Sequence, residues 1–338
     1  CRLLLDRKSQ RMSQPITIGL LGAANILPRA MLAPAKLLAT PCQFAVAARD
    51  PAKAIAFAQQ HDIAQVYQDY AALLASDQVH GVYIPLPNRL HVPWAIKALQ
   101  AGKPVLIEKP LCLRSSEFAE LAAVAQATEV PVMEALMPGF HPWQAALRDI
   151  IHSERFGRLQ TTKTQLFTNL TDTPRSNYRF SPELGGGAFF DLGIYWLQFI
   201  QQCLAQTPIA MQAHAEFCPI YRVDLEFSAQ LQFDNGVTST FEASFTRPFT
   251  ADHWLEFSDA TLKLRNFFRP AFGAQTLWFD VQYKTGAKEK ISFPAQNYYA
   301  NQLATFMQVI QGASAPESLP QLGARVNLME SLYAMVKP

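Results

Sequence analysis

The stretch I-T-I-G-L-L-G-A-A-N-I, residues Ile16–Ile26, decides the fold. Its first part, Ile16–Leu21, is a short apolar run typical of a strand buried on both faces, and a helical pattern follows through about Leu38. The glycine turn between them leaves the free N–H groups of a helix N-terminus at the end of the strand, where they can bind an anion. The stretch therefore predicts the first unit of a parallel, doubly wound sheet.

The turn carries only part of the fingerprint that holds the pyrophosphate of a dinucleotide. In the register G-x-G-x-x-G only Gly22 is a glycine, while Ala24 and Leu27 occupy the other two positions. Alanine is small enough for the backbone to approach the cofactor closely. Leucine is larger, which disfavours close packing of the helix on the strand. The candidate cofactor-binding residues of the turn are Gly22, Ala23, Ala24, Asn25 and Ile26.

The second strand and helix bear on which dinucleotide is bound. Phe44–Ala48 is typical of a buried strand that ends at Arg49, and Ala52–His61 is typical of a helix. An acidic residue at this strand end binds the ribose 2′-hydroxyl of NAD, whereas arginine suits the 2′-phosphate of NADP. Arg49 therefore favours NADP, although Asp50 leaves NAD possible and a solvated surface arginine is the alternative interpretation.

Further strands and helices alternate at the same pitch. Val79–Pro85 and Pro104–Ile107 are predicted strands, and Val92–Ala101 is a predicted helix between them. Sheets of this kind bind their ligands at the carboxyl ends of the strands. Those ends carry two polar motifs here, P-L-P-N-R-L-H at Pro85–His91 and E-K-P at Glu108–Pro110.

Another candidate region is Asn177–Trp196, which contains three successive glycines, Gly185–Gly187. Glycines let the backbone turn sharply and approach a ligand, because no Cβ obstructs it. On the helix that follows, Asp191 and Tyr195 are four residues apart and share one face, which aims a carboxylate and a phenol at the same space. The alternative is a tight connection before an amphipathic helix, with no part in chemistry.

The second half of the chain is richer in strands. The predicted strands are Leu159–Phe167, Ala213–Phe217, Asp224–Phe233, Val237–Phe245, Trp254–Leu264, Thr276–Tyr283 and Glu289–Phe293, with a hairpin turn at Asp234–Gly236. Predicted helices at 142–152, 299–311 and 320–336 accompany them. This pattern predicts a mostly antiparallel open sheet with one face against helices. Phe241, Phe245 and Trp254 predict an apolar patch on the other face, which invites a partner.

Length and composition bound the class of protein. The 338 residues predict about two domains, and the net charge of +2 gives no reason to expect nucleic acid or a membrane as partner. The five scattered cysteines lack C-x-x-C spacing, which favours reduced thiols in a cytoplasm, and no metal-ligand spacing occurs. Cys1 is not an initiator and Met12 is the favoured start, so residues 1–12 are excluded from the predicted fold.

The fold class is thus α/β, with an N-terminal doubly wound parallel (Rossmann) sheet and a C-terminal α+β domain that contains the open antiparallel sheet. We predict a dinucleotide-binding domain at 13–137 and a substrate-binding and dimerisation domain at 138–338.

Four motifs in this order resemble the Gfo/Idh/MocA family of NAD(P)-dependent oxidoreductases. They are P-N-x-x-H (Pro87, Asn88, His91), E-K-P, M-E-A at Met133–Ala135, and G-G-G-x-x-x-D-x-G-x-Y ending at Tyr195. The tyrosine in the last motif is similar to that of the dihydrodiol dehydrogenase and aldose dehydrogenase branch. The resemblance implies a homodimer through the open sheet.

The resemblance also implies roles for individual residues. Lys109 and Tyr195 would be the catalytic pair, with Asp191 beside them. The nicotinamide end of the cofactor would lie against Pro87, Asn88, His91, Glu108 and Lys109, although His91 at a helix start is more typical of a cap or a packed side chain. The candidate substrate-binding residues are Lys109, Phe140, Arg179, Asp191 and Tyr195, and Tyr178, Phe189 and Trp196 are further candidates for an aromatic wall.

One departure concerns the substrate. Relatives in that branch tend to have an arginine where this chain has Gly139, so their substrate should not be copied. Arg179 or His141 would be the side chains to compensate for it.

The chemistry also follows from the residue types. Hydride transfer to or from a carbinol carbon needs a general acid or base within hydrogen-bond reach of its oxygen. Tyr195 can fill that role, and since a free phenol has a pKa of about 10, the ammonium of Lys109 is expected to favour its anion and to stabilise charge on the substrate oxygen.

The sequence therefore predicts an oxidoreductase that transfers a hydride between NADP(H), or less favourably NAD(H), and a hydroxyl or carbonyl of a sugar or cyclic trans-diol. The alternatives are a non-catalytic dinucleotide sensor and a biliverdin-reductase-like enzyme with a wide apolar cleft.

Overall fold

The computed structural model describes residues 15–336, which form two sheets, one of six strands and one of eight. The predicted extra segment before Met12 lies outside the described residues. No helix within the described range has the length and apolar character needed to cross a membrane. The four cysteines of this range, Cys42, Cys112, Cys203 and Cys218, are free thiols.

The first sheet is parallel throughout, as predicted. Its strands are β1 (Ile16–Leu21), β2 (Cys42–Ala47), β3 (Gln65–Val66), β4 (Gly81–Ile84), β5 (Val105–Glu108) and β6 (Val132–Ala135), in the order β3-β2-β1-β4-β5-β6. The order reverses between β1 and β4, which makes the carboxyl end of β1 the switch point where such sheets bind nucleotides.

Short helices connect these strands. A π-helical turn, Pro28–Leu32, runs into α1 (Ala33–Ala35), and α2 (Pro51–Gln60), α3 (Tyr70–Ala75), α4 (His91–Gln100) and α5 (Ser115–Thr128) follow. Sequence periodicity did not find β3 or α3, because two and six residues are too few to show a period.

The second sheet is antiparallel except where β7 and β10 pair in parallel, which confirms the predicted fold class. Its strands are β7 (Leu159–Phe167), β8 (Ala210–Phe217), β9 (Asp224–Gln232), β10 (Thr238–Ser244), β11 (Thr250–Phe257), β12 (Ala260–Leu264), β13 (Gln275–Tyr283) and β14 (Lys288–Gln296). One face covers a buried layer that contains α6 (Pro142–His152) and α7 (Ile194–Phe199). Two π-helical turns, Phe189–Gly193 and Ile200–Leu204, flank α7.

Two details of this sheet differ from the prediction. The single strand predicted at Trp254–Leu264 is a hairpin of β11 and β12. The alternation of apolar and polar residues hid the turn, because buried apolar residues of the same side lie before and after it, namely Leu255, Phe257, Ala260 and Leu262. Phe241 and Phe245 are also buried, so they do not form the apolar outer patch that was predicted with Trp254.

The last two helices, α8 (Tyr298–Ile310) and α9 (Leu319–Ala334), return to the first sheet. Arg325 on α9 lies within 2.7 Å of the Glu134 carboxylate at the end of β6 and within 2.6 Å of Glu317. Glu134 also accepts the Leu111 N–H at 2.7 Å, so its buried charge is paired and hydrogen-bonded. The M-E-A motif therefore has a structural role, and the domain division at 137/138 stays a prediction.

Candidate active site

A cavity of about 560 Å³ lies between the carboxyl ends of the first sheet's strands and the end of β7, a central strand of the second sheet. Loops after β1, β4 and β5 form one wall, and the end of β7, the segment before α7 and the residues after β12 form the other. Of the predicted site residues, it brings together Ala24, Asn25, Ile26, Pro87, Asn88, Glu108, Lys109, Arg179, Asp191 and Tyr195.

The first wall has the backbone form expected of a pyrophosphate turn. Gly22 has φ +106°, and a Cβ built on it would lie 3.3 Å from the Leu86 side chain and 3.5 Å from the Tyr70 hydroxyl, so glycine is required there. The cavity wall begins at Ala24, while Gly22 and Ala23 shape the turn behind it. Leu27, the departure from the fingerprint, is fully buried in the core.

Arg49 lies outside this cavity and is exposed at the end of β2. Its neighbour Asp50 caps α2, because its Oδ1 accepts the Ala52 N–H at 3.0 Å. Asp50 thus uses one carboxylate oxygen to cap the helix, and Arg49 is an exposed cation at the same strand end.

The centre of the cavity is an ion network on the Asp191 carboxylate. Lys109 Nζ lies 2.7 Å from Asp191 Oδ1, and Arg179 donates to both oxygens, from Nε at 2.8 Å and from Nη2 at 3.1 Å. Burial alone would raise the pKa of this carboxyl, but the two cations hold the pKa of Asp191 well below its ordinary value. Asp191 is therefore an anion, and it fixes both positive side chains.

Tyr195 lies beside this network with its proton retained. The Lys109 ammonium sits 5.1 Å from the centroid of the Tyr195 ring, and Phe268 meets the same ring edge-on at 4.7 Å. Burial raises the pKa of Tyr195 well above its ordinary value, and Tyr299 and Glu108 add to that effect. The expected lowering by Lys109 is therefore not seen, because the ammonium is bonded to Asp191 and faces the ring of the phenol.

The helix that carries Asp191 and Tyr195 begins over a buried carboxylate that sequence reasoning missed. Asp224 Oδ2 accepts the Phe189 N–H at 2.7 Å, and a Cβ on Gly187, which has φ +120°, would lie only 2.1 Å from Asp224 Oδ1. The glycine turn thus makes room for an acceptor at a helix N-terminus. An acidic residue that opens an apolar strand was the available signal.

Glu108 is bonded within the first wall, and Asn88 connects the two walls. The Tyr83 hydroxyl donates to Glu108 Oε1, and the Lys109 N–H donates to Oε2 at 3.2 Å. Burial raises the pKa of Glu108 above its ordinary value. Asn88 donates to the Gly185 carbonyl at 2.8 Å, which joins the loop after β4 to the glycine turn.

His91 does not reach the predicted cofactor site. Its ring is fully buried, with Nδ1 2.8 Å from the Pro110 carbonyl oxygen and Nε2 2.7 Å from that of Leu86. Burial lowers its pKa to about 4, although the two carbonyl contacts act in the opposite direction and favour the protonated ring. His91 braces the loops after β4 and β5 from behind, as the cap or packed side chain of the alternative interpretation would.

The aromatic wall differs from the predicted set. Phe140 does not line the cavity, and Phe189 and Trp196 are core residues stacked on Phe227 and Phe241 at 4.0 and 5.0 Å between centroids. Tyr178 is the one predicted aromatic on the wall. The others there come from four separate segments of the chain and are Phe167, Phe249, Phe268, Phe272 and Tyr299.

Gly139 faces the interior and not the cavity. A Cβ on it would lie 2.6 Å from Gln198 Nε2, whose amide is bonded to Gln144 at 3.3 Å. An arginine there would have to displace this buried amide pair. His141 does not compensate either, because its Nδ1 accepts the Trp143 N–H at 3.1 Å and caps α6.

Sequence reasoning also missed Arg29. This residue of the first π-helical turn lines the cavity, with its guanidinium 5.0 Å from the Phe272 ring centroid. Among the described residues, no group of three or more His, Cys, Asp and Glu side chains is placed to hold a metal ion.

Comparisons with known proteins agree with this arrangement. Residues 16–136 match an oxidoreductase family with an NAD-binding Rossmann fold, and residues 144–258 match the GFO/IDH/MocA C-terminal domain. The D-xylose 1-dehydrogenase (NADP(+)) 2 of Haloferax volcanii is 31% identical over 94% of this chain and 93% of its own.

Two further proteins extend the comparison. The trans-1,2-dihydrobenzene-1,2-diol dehydrogenase of Sus scrofa is 34% identical over 60% of this chain and 59% of its own. A crystal structure of a 3-ketoreductase from Actinomadura kijaniata, in complex with NADP and TDP-benzene, shares the fold with a TM-score of 0.86 and 24% identity, over 96% of this chain and 98% of that one.

Asp224 gives a pH-dependent prediction. Burial raises its pKa from 3.8 to about 6, so the folded state holds a proton that the unfolded state releases, and this contribution to stability is present below about pH 4 and lost as the pH rises through about 6. Asp224→Asn keeps the acceptor for Phe189 and removes the titration. Urea unfolding at pH 5.0 and 7.5 should show the wild type losing about 1–2 kcal/mol more than the variant between the two values.

The matched control is Asp234→Asn, at an exposed aspartate of the β9–β10 hairpin, which should leave the wild-type pH dependence unchanged. Parallel pH dependences of unfolding for the wild type and Asp224→Asn would contradict the prediction.

Proposed function

Because the chain belongs to the Gfo/Idh/MocA family of oxidoreductases, as its motifs implied, we propose that Lys109, Asp191 and Tyr195 are its catalytic residues. The observation that carries the proposal is the 2.7 Å ion pair of Lys109 with Asp191, with the Lys109 ammonium 5.1 Å from the centroid of the Tyr195 ring on the same cavity wall. We propose further that the reaction interconverts a hydroxyl and a carbonyl on a sugar or a cyclic trans-diol.

The first wall fits a nicotinamide dinucleotide. The close approach that Gly22 permits and the polar side chains of Asn25, Asn88 and Glu108 on the wall match a phosphate-bearing cofactor with an amide-bearing ring. When bound, the nicotinamide supplies or accepts the hydride.

The protein side chains transfer the proton and stabilise the charge that develops on the substrate oxygen. In the direction of reduction Tyr195 carries the proton that the carbonyl oxygen needs, and the Lys109 ammonium stabilises the negative charge that develops there. Asp191 holds Lys109 in position, and Arg179 holds Asp191. In the direction of oxidation the phenolate form of Tyr195 accepts the proton from the alcohol, so the phenol must first release its own proton.

NADP is the proposed cofactor. Arg49 is an exposed cation at the end of β2, which supports binding of a 2′-phosphate, and one oxygen of the neighbouring Asp50 caps α2. The Haloferax volcanii relative is named as an NADP(+) enzyme, and the Actinomadura kijaniata structure contains NADP.

The names of the relatives and the size of the cavity both support a small substrate. The relatives act on D-xylose and on a dihydrobenzene diol. A cavity of about 560 Å³ that must also hold the nicotinamide favours such molecules over a tetrapyrrole. A sensor would need neither Tyr195 nor the ion network.

The outer face of the second sheet is the proposed dimer interface. Trp254 is 38% exposed there, and Trp278 lies under Lys290 at 4.0 Å and Arg269 at 4.8 Å. An exposed indole ring such as that of Trp254 is of a type enriched at interfaces. We expect sedimentation equilibrium to give twice the chain mass of 37.7 kDa, and a monomer mass at micromolar concentration would contradict the proposal.

A cytoplasmic location is part of the same proposal. The four described cysteines are free thiols, which suits a reducing compartment. A disulfide among them in the native protein would argue against it.

Replacing the proton donor tests the mechanism. Tyr195→Phe should lower kcat by roughly 10²-fold or more, because it removes general acid–base catalysis and keeps the ring against Phe268 and Lys109. NADPH affinity, measured by fluorescence titration, should stay nearly unchanged. Tyr178→Phe is the matched control, a second wall tyrosine that should retain most activity. Undiminished turnover in Tyr195→Phe would remove this residue from the mechanism.

Replacing Arg49 tests the cofactor assignment. Arg49→Ala should raise the Kd for NADPH about tenfold or more and change that for NADH little, because only NADPH carries the phosphate. Arg148→Ala, at an exposed arginine of α6, is the control and should change neither. Equal losses for the two cofactors would contradict a 2′-phosphate site.

A further inference from the structure

Arg29 differs from the other two cations of the cavity wall in its partners. Lys109 and Arg179 both form ion pairs with Asp191. Within residues 15–336, no carboxylate lies at ion-pair distance from Arg29, which is exposed on the first wall. The guanidinium of Arg29 is therefore available to an anionic ligand.

The contacts that Arg29 does make leave donors free. Its guanidinium lies over the ring of Phe272, 5.0 Å from the centroid. Burial and Glu108 raise the pKa of the Tyr299 phenol, and Arg29 acts against that increase. Because a guanidinium has five N–H donors in its plane, an aromatic ring against its face and one phenol beside it leave several donors for a ligand.

Arg29 and Tyr195 contact the two ends of one short segment. Phe268 meets the Tyr195 ring at 4.7 Å between centroids, and Phe272 lies against Arg29. The 3₁₀ turn Arg269–Phe272 joins the two phenylalanines. At a rise of about 2 Å per residue they are roughly 8 Å apart along this turn, so a substrate with one ring can reach from Tyr195 to Arg29.

The cavity wall carries a surplus of one positive charge. Its charged side chains are three cations and two carboxylates, namely Arg29, Lys109, Arg179, Glu108 and Asp191. Burial raises the pKa of Glu108, and protonation of that carboxyl would enlarge the surplus. One carboxylate on the ligand balances a single positive charge and matches the planar fork of a guanidinium with its two oxygens. A phosphate group, with a charge of about −1.5 to −2 at pH 7, would exceed it.

The phosphates of the proposed cofactor have other partners. The N–H groups of the turn after β1 are suited to the pyrophosphate, and Arg49 is proposed for the 2′-phosphate. Arg29 instead reaches toward Phe272, which comes from the second half of the chain. Its position thus suits the substrate better than the cofactor.

Uncharged polar groups of the wall suit the hydroxyls of such a ligand. Asn88 donates from Nδ2 to Gly185 and keeps Oδ1, while Asn177 accepts at Oδ1 and keeps Nδ2. Asn25 and Thr168 add a further amide and a hydroxyl. Because each buried hydroxyl of a ligand needs a hydrogen-bond partner, this wall can accept a ring that bears both hydroxyls and a carboxylate.

We propose that the substrate is a sugar acid or a cyclic diol acid, whose carboxylate binds Arg29 while its reacting oxygen lies at Tyr195 and Lys109. The carboxylate takes no part in the hydride transfer and positions the ring. This inference rests on the proposed function and narrows its substrate class.

Initial rates of NADP reduction on matched substrates test the proposal with the wild-type full chain. The arms are D-glucose with D-glucuronate, D-galactose with D-galacturonate, and D-glucose 6-phosphate, in which each acid differs from its aldose only at C6. We expect kcat/KM for at least one uronate to exceed that for its aldose by about tenfold or more, because a charge-assisted hydrogen bond is added. Greater kcat/KM for the 6-phosphate than for both uronates would overturn the choice of a carboxylate.

A variant locates the preference at Arg29. Arg29→Gln should lower kcat/KM for the preferred uronate about tenfold more than for the matched aldose, mainly through KM, and the NADPH Kd should stay within about twofold. Arg148→Gln, at an exposed arginine of α6, is the control and should leave the preference unchanged. An NADPH Kd that rises as far as the KM for the uronate would assign Arg29 to the cofactor and overturn the proposal.

The failure of this inference is distinguishable from that of the proposed function. Aldose turnover that equals or exceeds that of both uronates and disappears in Tyr195→Phe would overturn the carboxylate-bearing substrate and keep the mechanism. Absence of turnover in every arm would overturn both.

Discussion

The Asp191 carboxylate is the interaction on which the site depends. One buried anion between Lys109 and Arg179 leaves a net positive charge beside the space where a substrate oxygen would lie. Either cation alone in so enclosed a place would be costly to desolvate, so the carboxylate is what keeps both of them there. The surrounding elements hold Asp191 in place. Its position and direction are fixed together by the glycine turn, the Asp224 cap and the Asn88–Gly185 bond.

The same network changes how Tyr195 is understood. A lysine near a tyrosine suggests a lowered phenol pKa, but here the lysine is already neutralised by a stronger partner and lies over the ring face. Burial then has the largest effect on the pKa of the Tyr195 phenol, which keeps its proton. The proton therefore belongs to the tyrosine and the electrostatic stabilisation to the lysine, a division of roles that spacing alone does not reveal.

The features that could be predicted are those that residues adjacent in sequence determine. The turn at Gly22, the strand ends at Glu108 and Lys109, and the pair Asp191 and Tyr195 follow from local pattern and motif, and all except Gly22 lie on the cavity wall. Arg29 and Phe249 were not found in this way, because tertiary packing brings them to the cavity. Asp224 opens an apolar strand, which is a local signal, but its place under the glycine turn also depends on tertiary packing. His91 was misplaced for the opposite reason, since a motif position gave no information about which way its ring points.

The ion pair between Arg325 and Glu134 has a consequence for how the protein is made. The two residues are separated by 191 positions, and Glu134 lies in β6, the last strand in sequence of the first sheet, which is synthesised before α9. Until α9 has been synthesised, that carboxylate has no cation to meet, so the nucleotide-binding half cannot reach its final stability during translation. A nascent chain whose first sheet has formed while the Glu134 carboxylate still lacks Arg325 is the kind of folding intermediate on which chaperones act.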